Sequence, residues 1–181
     1  MKHFFLVLFG LILCGCSAVY STDPIGEKPC QISGQDWDGA WINKETFLTM
    51  KVTDPKNGTI RVAWIESSDQ GDKLESYELQ LRQSGELMFG NVKTDAGNGK
   101  VLYVWGLVKR SENELICWRP DVDKFKDLCK KGSLPCREEE GNVILTALTP
   151  EHLQIINSEK EGVLYEWRDP LAFIRAARRD R

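Results

Sequence analysis

The sequence predicts a mainly β domain, an antiparallel meander of about 8–10 strands that closes into a barrel or folds as a sandwich. Three observations carry this prediction. Apolar and polar residues alternate at period two in segment after segment. Tight turns rich in Gly, Asn and Asp separate the segments at short intervals. No repeat of the kind that builds a propeller or a solenoid is present. The 181-residue chain is 41% hydrophobic and 28% charged, with a formal net charge of −3. That suits one domain with a sizeable core and offers no basic surface for nucleic acid.

The first fifteen residues stand apart from this pattern. Lys2 and His3 precede Phe4–Leu13, which is almost wholly apolar. A run of about ten residues is too short to span a bilayer, which takes roughly 20. Its charge in front and small residues behind match the apolar region of a secretory signal. A buried N-terminal helix would carry an amphipathic stripe and a cap, and this run has neither. The residues that close it, Leu13-Cys14-Gly15-Cys16, resemble the lipobox of bacterial lipoproteins. The resemblance implies cleavage after Gly15, acyl chains on Cys16 and loss of Cys14 with the signal, and several chains together make a stable anchor. Ser17, in place of an aspartate, implies the outer membrane of a bacterial envelope. Three regions follow: a signal over 1–15, a lipidated N-terminus with a flexible tether over 16–35, and one β-rich domain over 36–181. The tether reading rests on the Ser, Pro and Gly of 17–35 and their lack of periodicity.

Removing Cys14 and Cys16 leaves Cys30, Cys117, Cys129 and Cys136. Four cysteines in an oxidising compartment predict two disulfides, with three connectivities open. Cys129–Cys136 closes a short loop around Gly132 and Pro135. Cys30–Cys117 would then staple the end of the tether to the sheet. A zinc site is disfavoured, because C-x-x-C pairs and neighbouring histidines are lacking.

The body opens with its clearest hairpin. TFLTMKVT (46–53) puts Leu48, Met50 and Val52 on one face, DPKNG turns the chain, and TIRVAWIE (59–66) returns Ile60, Val62 and Trp64. KLESYELQLRQ (73–83) alternates Tyr77, Leu79 and Leu81 with polar residues, and ELMFGNVKT (86–94) follows a Ser-Gly turn. KVLYVWGLVKR (100–110) is apolar on both faces, which predicts a central strand or one covered outside by another element. ELICWRP (114–120) is the next strand. The meander then breaks. Asp121 suits an N-cap, Val122, Phe125, Leu128 and Cys129 recur at helical spacing and Gly132 suits the end, so a short helix is predicted near 121–131. NVILTAL (142–148), HLQIIN (152–157) and VLYEWR (163–168) read as a second run of strands. Asp169-Pro170 then favours a C-terminal helix through LAFIRAARRDR, with a strand through Phe173 as the alternative.

Gly39-x-Trp41, at the start of the first expected strand, is similar to the motif that opens lipocalins and related calycin barrels. That resemblance implies a lipocalin-like barrel in which Trp41 plugs the closed end and an arginine from near the C-terminus, Arg168 or Arg175, packs over it. The chain departs from the family in two respects. It lacks a second motif in mid-chain, and it places a helix before the last strands.

The chemistry-bearing residues are sparse. His152 is the single histidine after the signal and sits beside a turn, so no catalytic triad is built on it. Asp121, Asp123 and Asp127 fail the EF-hand pattern, with Lys126 and Gly132 where glycine and glutamate are needed. Glu138–Glu140 read as a solvated loop and the arginines of 175–181 as a solvated terminus. No catalytic residue, metal ligand or cofactor is assigned. The aromatics are more informative. If the sheet closes, Trp64, Tyr77, Tyr103 and Trp105 are candidates to line a ligand cavity, against the alternative that they fill the core. The expectation is a non-catalytic envelope lipoprotein that binds a small lipophilic ligand. The alternative is a structural or protein-interaction lipoprotein with a filled core and an envelope protein as partner.

Overall fold

Strands with one apolar face need a second layer, and closing the sheet on itself supplies one. A computed structural model describes residues 17–44, 47–68, 71–96, 99–158 and 170–176, the side chains of 66–68 and 71–73 excepted. The signal segment, Cys16, Arg168 and the strand expected over 163–168 lie outside the described residues.

The chain begins with two short strands, β1 (Val19–Ser21) and β2 (Lys28–Pro29), and the single-turn helix α1 (Gly34–Trp37). The meander follows: β3 (Gly39–Ile42), β4 (Phe47–Asp54), β5 (Thr59–Ser68), β6 (Gly71–Ser84), β7 (Leu87–Asp95), β8 (Val101–Arg110) and β9 (Glu114–Trp118). The helix α2 (Val122–Lys130), the hairpin β10 (Cys136–Glu139) and β11 (Asn142–Leu145), the helix α3 (Pro150–Asn157) and the strand β12 (Leu171–Arg175) complete it. Each of β3 to β9 pairs antiparallel with the next. β12 enters between β9 and β3, with Phe173 opposite Leu115 and Ile174 opposite Ile42. The result is a closed eight-stranded antiparallel barrel, the first of the two architectures expected.

β8 does more than close the barrel. Its second half pairs with β9, as in Leu107 opposite Trp118. Its first half pairs with β1, Tyr20 opposite Val104. β1 runs parallel to β11, and β11 pairs with β10. This flap and the helices α2 and α3 cover the outer face of β7 and β8. Beneath them Trp105 meets Phe89 edge-on at 6.1 Å and Phe125 at 5.6 Å. Leu128, Val143 and Ile156 close the same cluster. The two-faced apolarity of 100–110 therefore has its cause in two cores, one inside the barrel and one outside it.

Three expectations are corrected. Residues 17–35 are not a tether along their length. Val19, Ile25 and Cys30 are buried, and Asn91 of β7 holds the segment by accepting from the Ile25 N–H at 2.7 Å and donating to the Ile25 carbonyl at 3.0 Å. HLQIIN is helical. Thr149 caps α3 and Pro150 occupies its first turn, while Leu153 and Ile156, three apart, face the outer core. LAFIR is a strand and not the start of a C-terminal helix, because two free strand edges flank it and satisfy its backbone on both sides. Among the described residues no helix is long and apolar enough to cross a membrane.

The outer core makes the covering helices integral to the fold. Phe125 is wholly buried between Trp105 and the flap. Phe125→Ala should lower unfolding free energy by about 3–5 kcal/mol in a denaturant titration. A loss below about 1 kcal/mol would mean that α2 is not packed as described.

Candidate functional site

One end of the barrel is sealed by the sequence that precedes β3. The Ser33 side chain accepts from the Asp36 N–H and starts α1, which turns Trp37 inward. The Trp41 indole N–H donates to the Trp37 carbonyl at 3.1 Å, and Trp41 is wholly buried. The Arg175 guanidinium lies 5.6 Å from the centre of the Trp41 ring and donates to the carbonyls of Gln35 and Asp38 at 2.8 and 2.6 Å. Of the two arginines expected over Trp41, the structure brings Arg175 there. Gly39 adopts φ +135°, and a Cβ on it would stand 3.7 Å from Arg175 Nε. A side chain is disfavoured at that φ whatever the space, which gives Gly39-x-Trp41 its physical sense. Arg110 repeats the arrangement over Trp37 at 5.6 Å and pairs with Asp36 at 3.1 Å. Asp38 accepts from the Val52 N–H and pairs with Lys51, tying α1 to β4.

Above this plug the interior is filled. Leu48, Ile60, Val62, Leu81 and Phe173 are buried there. Gly90 faces inward, where a Cβ would meet Leu79 and Val108 at 3.1 Å, so its missing side chain lets those two close over it. Toward the other end the wall becomes aromatic. Trp64 and Tyr77 sit with ring centroids 4.5 Å apart. Trp64 is 2% exposed, and among the described residues its indole N–H has no hydrogen-bond partner. Glu75 stands opposite Trp64 in register and faces the same way. Val104, on the inner face of β8, is only partly covered.

Tyr103 and Trp105, expected to line the interior with them, do not. Inner positions on β8 are even-numbered, so both residues point outward, Tyr103 opposite Ser21 of β1 and Trp105 into the outer core. At the open end a hollow of about 600 Å³ lies between the β7–β8 and β10–β11 turns, lined by Tyr20, Asp95, Leu102, Glu139 and Ile144. Leu102 is an inner position of β8 and Tyr20 pairs with Val104, so the hollow lies on the sheet face that continues the barrel's interior. Lys100 pairs with Glu139 at 3.4 Å.

Cys129 and Cys136 form a disulfide across a Cα separation of 5.8 Å. The pairing of Cys30 with Cys117 does not occur, and both are free thiols. Cys30 is tied through its N–H to Leu81 of β6, whereas Cys117 lies on β9, opposite Val108. Three steps around the wall separate β6 from β9. At about 4.8 Å per step that exceeds the Cα spacing of a disulfide, usually below about 6.8 Å. Burial raises both thiols, Cys117 to about 12, so neither is a thiolate nucleophile at neutral pH.

The remaining candidates have structural roles. His152 Nδ1 accepts from the Thr149 N–H at 3.0 Å and completes a capping box. Asp121 caps α2. Among the described residues no group of three or more His, Cys, Asp or Glu side chains converges as a metal site does. No family model matches the sequence, and no curated protein or solved structure matches it.

Arg175→Met keeps the stem but loses the two carbonyl bonds and the contact with Trp41. It should lower stability by about 2–4 kcal/mol, seen as a lower denaturant midpoint at unchanged slope; no change would remove Arg175 from the seal. The Cys117 thiol predicts an alkaline effect. The folded protein holds this proton up to about 12, against 9.0 for an ordinary thiol. The stability it contributes is complete below pH 9 and is lost as pH rises toward 12. Cys117→Ala should therefore show a shallower loss of stability than the parent between pH 9 and 12. Parallel curves would contradict the buried neutral thiol.

Proposed function

We propose that this chain is a bacterial envelope lipoprotein, held by acyl chains on Cys16 at the outer membrane. In this reading its barrel takes a small lipophilic molecule at the end bearing Trp64 and Tyr77 and catalyses no reaction. The observation that carries the reading is the asymmetry of the barrel. One end is closed by Trp37, Trp41, Arg110 and Arg175. The other presents a tilted aromatic pair and a buried indole N–H without an acceptor. An unmet buried donor costs about 1–3 kcal/mol, and an apolar molecule carrying one oxygen acceptor would relieve it. A second reading, an interaction lipoprotein with a filled barrel, is favoured by the exposed apolar side chains Ile42, Phe47, Ile65, Leu74 and Ile174 on the outer wall.

Native mass spectrometry of residues 17–181 after mild purification tests the ligand. A retained lipophilic adduct, lost or weakened in Trp64→Phe, is the expected result. No adduct, with unchanged tryptophan fluorescence across a lipid panel, would leave the interaction reading. The anchor is tested separately. Cys16→Ser should move the protein out of the membrane fraction, and retention there would exclude the lipid at Cys16.

A further inference from the structure

The outer wall of the barrel has two unlike halves. β7 and β8 lie under the flap and helices. From β12 through β3, β4 and β5 to β6, large apolar side chains face outward in one continuous row. Ile174 stands opposite Ile42, and Ile42 opposite Phe47. Leu48 pairs with Trp64, which sets Phe47 beside Ile65, and Ile65 stands opposite Leu74. Their exposures run from 45% at Ile42 to 71% at Leu74, and of six exposed large apolar residues described, only Val101 lies outside the row.

The next outward row is small. Ala40, Thr49, Ala63 and Ser76 are successive register partners. Beyond it stand Lys51, Arg61 and Glu78, all exposed. The wall therefore presents a ridge of Ile, Phe and Leu beside a shallow groove, with mixed charges along the groove's outer side. A ridge and a groove on one surface are self-complementary under a two-fold axis. The ridge exposes roughly 500–600 Å² of apolar surface, at the top of the range for the largest patch on a monomer. With the small and charged rows it approaches the roughly 800 Å² that each partner brings to a stable interface.

The position of the N-terminus argues against a bilayer as the cover. Ser17 Oγ lies 3.1 Å from where a Gly141 Cβ would stand, and the Ala18 N–H donates to Asn142 at 2.8 Å. Both contacts are on the flap that extends from β8. β4, at the centre of the ridge, is four strands from β8 in either direction around the barrel. A chain anchored at Cys16 thus turns the ridge away from the membrane. This orientation rests on the anchor reading; the self-complementarity does not.

We propose that the ridge is the interface of a two-fold dimer of this chain, the ridge of each copy seated in the groove of the other. The test is cross-linking of the full chain in the membranes of expressing cells with a bismaleimide. Phe47→Cys places a thiol in the ridge. Glu86→Cys, in the exposed β6–β7 turn, is the control. A product of twice the monomer mass is expected from Phe47→Cys at ten times or more the yield from Glu86→Cys. Adding Leu74→Asp and Ile174→Asp should cut that yield at least tenfold, while the melting temperature of the purified protein stays within a few degrees. Equal yields from the two cysteines would overturn the proposal. So would a yield indifferent to the added charges, or a cross-link from Phe47→Cys to a protein of another mass.

Discussion

Strand β8 must bury both of its faces, and much of the molecule's arrangement follows from that demand. Its inner face carries Val104, Gly106 and Val108 into the barrel. Its outer face carries Trp105 and Leu107, which need a second layer. One edge serves two partners in succession, β9 to close the barrel and β1 to start the flap. Had β9 run the full length of β8, no edge would remain for β1. The flap, α2, α3 and the Cys129–Cys136 disulfide would then lose their seat.

This branching gives the barrel a covered side and a bare one. It also places the first of the described residues. Ala18 is already hydrogen-bonded to Asn142, so a lipid on Cys16 would hold the flap close to the bilayer, with Ser17 the one residue between them. The aromatic end of the barrel and the ridge on its far wall would then be separate surfaces with separate uses. The interior end carries the Trp64–Tyr77 pair with the Trp64 indole N–H buried. The ridge is a row of exposed Ile, Phe and Leu side chains on the outer wall.

Much of the barrel was legible in the sequence because its signals are local. The β4–β5 hairpin follows from alternation around DPKNG. α2 follows from Asp121 and the spacing of Phe125 and Leu128. The bridge from Cys129 to Cys136 needs only a short loop. The arginine over Trp41 was implied by the resemblance of Gly39-x-Trp41 to the opening motif of calycin barrels and not by a local signal, and Arg175 is the residue found there. What was not legible is non-local. HLQIIN fits a period of two or of 3.6 equally well over so few residues, although Thr149-Pro150 ahead of it was a helix start available to be read. LAFIR takes its conformation from the edges of β9 and β3. Cys30 and Cys117 are both in the inner core, but the circumference of the wall keeps them apart. Tyr103 and Trp105 belong to a strand apolar on both faces, and pattern alone cannot say which face is the inside.

By itself the sequence determined the strands of the meander from Phe47 to Trp118, where most turns fall and which cysteines lie close enough along the chain to join. These depend on alternation, turn chemistry and short loops, all of which act over a few residues. Only the tertiary structure decided that the sheet closes, that β12 and not a helix completes it, and that 17–35 folds against the wall. Those outcomes depend on which backbone edges and apolar faces are left unsatisfied once the meander has formed. No window of the sequence contains that information, because the partners lie up to 140 residues apart, as Gln35 and Arg175 do.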